Sequence, residues 1–179
     1  MMRLFVGLSM PDEVAQSLLA LQGGVPGARW QTRDQLHLTL RFIGEVDGRQ
    51  ASDIDDTLAA ISAPGFTLEL HGVGTFGNRD PRQLWAGVRA NEALMHLQRK
   101  IETALQRIGL QPDPRKFTPH VTLARLKAPA KAKLMAYLGD HGLYASAPFA
   151  VSAFRLYRST LTPNGSLYTG ERDYPLRSS

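Results

Sequence analysis

Leu36-His37-Leu38-Thr39-Leu40-Arg41-Phe42-Ile43-Gly44-Glu45 is echoed further along the chain by Pro119-His120-Val121-Thr122-Leu123-Ala124-Arg125. Both stretches read His, apolar, Thr, Leu. Side chains in a β-strand alternate between faces with a period of two. His37 and Thr39 therefore share one face, and Leu36, Leu38 and Leu40 share the other. The second copy repeats this, with His120 and Thr122 opposed to Val121 and Leu123. Each copy predicts a strand with an apolar side in a core and an imidazole and a hydroxyl on the opposite side. Two such strands side by side would make a cleft that receives two histidines and two threonines.

The elements on either side of the motifs set the fold class. Residues 2–8 read as a buried strand and residues 11–22 as a helix that Gly23-Gly24-Val25-Pro26-Gly27 ends. After the first motif strand, Ile54, Leu58 and Ile61 mark a helix over 49–62. Residues 66–76 alternate as one strand, and 83–89 returns beside it. Leu94, Leu97, Ile101, Leu105 and Ile108 give a helix over 91–108, closed by Gly109. A Pro-rich loop, 111–118, leads into the second motif strand. A helix over 129–138 follows, then a strand from Phe149 to Ser159, a turn at 162–165 and a return to Asp173. The last residues are expected to fray. The order helix, motif strand, helix, hairpin thus occurs twice. It predicts an α+β, bilobal duplicated fold with two antiparallel sheets, flanking helices and a central cleft. Residues 1–179 read as a single domain of two pseudo-symmetric lobes, built around the motifs at 37–40 and 120–123.

Composition narrows the chemistry. The chain of 179 residues has no cysteine, which removes disulfides, thiolate metal sites and a cysteine nucleophile. No apolar run approaches the roughly 18 residues of a membrane span. The start of the chain is too short in apolar residues for a signal peptide. A soluble, cytoplasmic protein is expected. Residues 1–90 carry 8 Lys and Arg against 10 Asp and Glu, whereas residues 91–179 carry 13 against 6. Sixteen of the 21 basic residues are arginine, whose planar fork suits phosphate. An anionic substrate approaching the C-terminal half is one reading; an ordinary arginine-rich surface is the other.

Histidine is the side chain best poised to move a proton near neutrality. Two facing imidazoles can serve as base and acid in one displacement at phosphorus. Hydroxyls of Thr39 and Thr122 can donate to the non-bridging phosphate oxygens. Arg125 is read on the face of His120 and Thr122, where it would neutralise developing charge. Arg41, following Thr39, is a lesser candidate for the same job. A single His-x-Thr pattern is an ordinary strand; two copies at equivalent places in the chain are not. Two histidines make an incomplete metal site, and no carboxylate lies beside them at metal-ligand spacing. His71, His96 and His141 have no motif context and read as structural or surface residues. Neither a Gly-x-Ser-x-Gly elbow nor a glycine-rich phosphate loop is present. Any ligation would have to proceed without ATP.

With these residues in view, the chain resembles the two-histidine phosphoesterases, and more closely the RNA 2′,3′-cyclic phosphodiesterase family, also called 2′-5′ RNA ligases. The likeness includes Arg3-Leu4-Phe5-Val6, Trp30, His37 to Gly44, Phe76 and Pro81 followed by Leu84-Trp85, Phe117 to Arg125, and Ser159 to Gly165 with Tyr168. The resemblance implies metal-independent, cofactor-free hydrolysis of an RNA 2′,3′-cyclic phosphate terminus to a 2′-phosphate. It implies that His37 donates a proton to the departing 3′ oxygen and that His120 activates water. With an RNA 5′-hydroxyl in place of water, the same site would form a 2′-5′ linkage. A monomer with no obligate protein partner is expected. Phe5 and Phe42 are candidates to stack a terminal base, although packing in the core is the more ordinary role for both. Other readings are a relative acting on a small cyclic nucleotide and a non-catalytic RNA-binding module.

Overall fold

The computed structural model describes residues 1–178. Its strands are β1 (Met2–Ser9), β2 (Ala28–Trp30), β3 (His37–Val46), β4 (Phe66–Leu68), β5 (Leu70–Phe76), β6 (Gln83–Val88), β7 (His120–Leu126), β8 (Phe149–Val151), β9 (Ala153–Thr162) and β10 (Gly165–Pro175). Its helices are α1 (Asp12–Leu19), α2 (Gly48–Ala59), α3 (Glu92–Arg107) and α4 (Lys131–His141), with a 3₁₀ turn at Arg33–Gln35. Caps fix the two longest helices. Asp47 accepts from Gln50 N–H at 2.8 Å and Asn91 from Leu94 N–H at 3.0 Å, each satisfying an orphan donor of the first turn. Gly109, at φ +100°, closes α3 in a conformation that L side chains avoid.

Both motif strands lie in one eight-stranded antiparallel sheet, ordered β10-β9-β1-β3-β7-β6-β5, with β2 on β7. The order is symmetric about the β3–β7 junction: β9-β1-β3 on one side, β5-β6-β7 on the other. β3 and β7 meet at a single register point, Leu38 opposite Val121. Both of those side chains are fully buried. They join Leu4, Val6, Leu8, Leu84 and Leu123 from the sheet and the apolar stripes of all four helices in one continuous core.

The second sheet is small and links the halves. The alternating run 66–76 is not one strand: it breaks after Leu68, and β4 pairs with β8 instead of continuing beside β6. The run from Phe149 breaks in the same way at Ser152. Each half therefore lends a three-residue strand to the other. Leu68 and Leu70 are both buried, so alternation runs through the break and conceals it. β2 was not foreseen either; three residues carry too little pattern. The C-terminus is more ordered than expected. Leu176 N–H bonds Ser152 O at 2.8 Å, and Arg177 is held by Ala63 and Gly65, each at 2.9 Å.

Leu38→Ala at the β3–β7 junction is expected to destabilise the fold by about 2–5 kcal/mol, since a buried cavity replaces the side chain. Leu161→Ala, at a residue 82% exposed, should be close to neutral. Denaturant midpoints of the two variants against the parent chain check this difference.

Candidate active site

On the face of the sheet opposite the core lies a cleft of about 1120 Å³. His37, Thr39, His120, Thr122 and Arg125 all line it. Their placement follows from the register of β3 on β7. With Leu38 opposite Val121, His37 falls across from Thr122 and Thr39 across from His120. The two histidines are diagonal neighbours, a relation that in antiparallel pairs spans about 7–8 Å between backbones. That separation suits one phosphate between two rings.

Each imidazole is fixed by the carbonyl two residues upstream. His37 Nδ1 lies 2.8 Å from Gln35 O, and His120 Nδ1 lies 2.7 Å from Thr118 O. A carbonyl only accepts, so each Nδ1 carries a proton and donates. In the neutral rings each Nε2 is then an acceptor. His37 Nε2 is 2.8 Å from Thr39 Oγ1. His120 Nε2 is 3.2 Å from the amide nitrogen of Gln83, which also donates to Thr122 Oγ1. Aromatic rings wall both histidines. Phe5 and Tyr168 stand 4.8 and 5.0 Å from the His37 ring, and Phe76 stands edge-on at 4.8 Å from His120.

Arg125 reaches the cleft by a route that strict alternation forbids. It lies three residues beyond Thr122, which in a regular strand would turn it to the core. Opposite β6, however, Trp85 pairs with Thr122 and Leu84 with Ala124, so Leu123 is an extra residue. This β-bulge restores Arg125 to the histidine face. β3 carries the same bulge, with Gly7 opposite Thr39, Val6 opposite Arg41 and Leu40 extra. Arg41 therefore corresponds to Ala124, and Phe42 to Arg125. The expectation that Arg41 serves phosphate is corrected accordingly. Its buried guanidinium donates to Glu102 on α3, to Phe42 O and to Gln111 O. Burial pushes the Glu102 carboxyl up, but the bonds from Arg41, Gln106 and the Asp113 N–H outweigh it and hold the group below its ordinary value. Arg41 thus ties β3 and α3 to the loop that carries Thr118.

Phe5 is buried, stacked on Tyr157 with centroids 4.8 Å apart. Phe42 is half-buried beneath the Arg3 guanidinium at 5.2 Å and lines the cleft. His71, His96 and His141 do not line it. Gln83 was missed as a site residue, and Phe76 entered only through the family likeness. The alternation of Gln83 and Trp85 against Leu84 and Ala86 was the signal for Gln83, once the return strand is paired with the motif strand.

Burial is the main influence on both imidazoles. It pushes His37 down to about 4, against the Gln35 carbonyl and with the positive potentials of His120 and Arg125 adding to it. His120 is lowered for the same reason, opposed by Thr118 and assisted by Arg125. Both shifts favour the neutral ring at pH 7. A bound phosphate anion reverses the local field and favours protonation.

Two proton-transfer groups, two hydroxyls and a guanidinium converging on one anion-sized space define a phosphoesterase type of site. Comparison with known proteins agrees. The model of the 2′-5′ RNA ligase superfamily matches residues 10–162, and the chain belongs to that family. It is 39% identical over 141 residues to the RNA 2′,3′-cyclic phosphodiesterase of Aeropyrum pernix, covering 75% of this chain and 78% of the relative. It is 33% identical over 175 residues to that of Thermotoga maritima, covering 93% and 91%. The structure of E. coli LigT in apo form superposes with a TM-score of 0.79 at 28% identity, covering 98% of this chain and 97% of that one. No helix among the described residues is long and apolar enough to cross a membrane.

The depressed imidazoles link stability to pH. Between about pH 6.5 and 4 the unfolded chain binds protons that the native rings refuse, so native stability falls as pH drops through that window. Urea midpoints at pH 7.5 and pH 5 should show the loss, and His37→Asn should reduce the slope.

Proposed function

We propose that this protein hydrolyses RNA 2′,3′-cyclic phosphate termini to 2′-phosphates, without a metal or cofactor. The observation that carries this reading is the pair of equivalently anchored imidazoles, each presenting Nε2 to one cleft beside a hydroxyl. The names of the curated relatives support the substrate, RNA 2′,3′-cyclic phosphodiesterase in each case. E. coli LigT has also been solved complexed with 3′-AMP, at a TM-score of 0.79 and 26% identity, covering 98% of each chain.

In this reading the cyclic phosphate displaces water from between the histidines. Binding of the anion raises the His37 imidazole into the protonated state. His120 Nε2 takes a proton from water as the water oxygen bonds phosphorus. The P–O3′ bond breaks, and His37 gives its Nε2 proton to the departing 3′ oxygen. The product carries a 3′-hydroxyl and a 2′-phosphate, and proton exchange with solvent resets both rings. Thr39 and Thr122 donate to the non-bridging oxygens, and Arg125 offsets charge that builds on them. With a 5′-hydroxyl as the attacking group, the same transfers form a 2′-5′ linkage; excess water favours hydrolysis.

Besides Arg41, which is engaged by Glu102, the cleft is lined by Arg3, Arg115, Lys116, Arg125 and Arg158, so four of its six basic residues belong to the basic C-terminal half. This favours an RNA chain over a small cyclic nucleotide. The same reading takes residues 1–179 as one domain of two pseudo-symmetric lobes, supported by the shared sheet and continuous core. The protein would act in the cytoplasm, in keeping with its lack of cysteine, and as a monomer.

The test is an RNA oligonucleotide ending in a 2′,3′-cyclic phosphate, incubated with protein in EDTA, with the product terminus identified. A 2′-phosphate is expected. His37→Ala and His120→Ala should each lower turnover by about 10²–10⁴, the usual worth of one proton-transfer group, with the fold intact by circular dichroism. Activity that appears only on adding a divalent metal, or full activity in either variant, would contradict the proposal. Faster turnover of mononucleoside than oligonucleotide cyclic phosphates would favour the small-nucleotide reading.

A further inference from the structure

The two halves place equivalent backbone positions beside each histidine. On β1, Ser9, Gly7 and Phe5 lie opposite His37, Thr39 and Phe42. On β6, Gly87, Trp85 and Gln83 lie opposite His120, Thr122 and Arg125. Gln83 is thus the counterpart of Phe5, yet the two side chains are chemically unlike. Phe5 sets an apolar ring 4.8 Å from the His37 imidazole. Gln83 brings an amide donor to His120 Nε2 at 3.2 Å, and with the same nitrogen bonds Thr122.

The direction of these bonds separates the histidines. His120 Nδ1 already donates to Thr118 O, so the neutral ring needs a donor at Nε2. The Gln83 amide supplies it. A protonated His120 would turn a second N–H toward that same donor. The corresponding partner of His37 is the Thr39 hydroxyl, which can donate to a neutral ring or accept from a protonated one. One ring is built to stay free of the proton; the other accommodates both states.

We infer that Gln83 is a positioning residue that keeps His120 as the proton acceptor and holds Thr122 for the phosphate, and so breaks the symmetry between the two imidazoles. The inference rests on the acid–base reading of the site given above. The cleft that holds His120 is also lined by Arg125 on its own strand, His37, Arg41 and Glu45 on β3, Arg3 on β1, Glu102 on α3, Asp113, Arg115 and Lys116 in the loop before β7, Arg158 on β9 and Tyr168 on β10; of these, Arg125 bears directly on the His120 ring. β5 and β6 present the uncharged Phe76, Trp85 and Gln83.

Two variants test this. Gln83→Leu removes the donor at similar size, and Gln83→Glu replaces it with an acceptor. NMR titration of the ligand-free protein follows each histidine separately. In Gln83→Leu the His120 midpoint is expected to rise by about one unit, the scale of a lost hydrogen bond to the neutral form, while His37 stays in place. In Gln83→Glu it should rise further. With saturating RNA 2′,3′-cyclic phosphate, the acidic limb of turnover should move up by the same step as His120. A His120 midpoint unchanged or lowered in Gln83→Leu would overturn the inference, whatever turnover does. Should that variant not fold, an unmoved His120 in Gln83→Glu would overturn it equally. The expected NMR shifts with no turnover by the parent protein would remove the reaction proposed above and leave the positioning role standing.

Discussion

One backbone register, Leu38 against Val121, is what the rest of the molecule depends on. It joins the two halves of the large sheet at a fully buried point. It also decides the site, because the residues flanking that pair are His37, Thr39, His120 and Thr122. Slipping the register by one residue would turn one motif into the core and its apolar partners into the cleft. Core packing and site geometry are therefore set by the same contact. Buried Leu38 and Val121 on one face hold in place the polar groups on the other.

The approximate twofold relation explains much of the construction. Each motif strand has the same bulge after its threonine, and each histidine leans on the carbonyl two residues before it. The exchange of β4 and β8 stitches the halves together away from the cleft. Chemistry on phosphorus needs an acid and a base, however, and a symmetric site would not distinguish them. The departures from symmetry lie where that distinction is made. An aromatic ring faces His37 where an amide faces His120, and a guanidinium, Arg125, stands where the other half has Phe42.

Alternation within a single strand is a local property, so the shared face of His37 with Thr39 and of His120 with Thr122 was legible in the sequence. So were the helices, whose stripes at 54–58 and 94–105 are long enough to fix the period. Features that depend on a partner strand were not. The bulge that returns Arg125 to the cleft, and sends Arg41 to Glu102, exists only in the pairing of β7 with β6 and of β3 with β1. Gln83 meets His120 across a strand pair that no spacing in the sequence announces. The break at Glu69 was hidden because buried residues alternate on both sides of it. The C-terminal residues were expected to be loose, since backbone bonds from Leu176 and Arg177 to distant segments leave no local trace.

The most direct test of the central claim, that the two imidazoles act as separate acid and base on one phosphate, is the pH dependence of turnover at saturating RNA 2′,3′-cyclic phosphate. A bell is expected for the parent protein, because one ring must be protonated and the other neutral. Residual turnover of His37→Ala should lose the alkaline limb, which belongs to the acid. That of His120→Ala should lose the acidic limb, which belongs to the base. A bell that persists with both limbs in either variant, or a parent profile flat across the imidazole range, would contradict the division of roles.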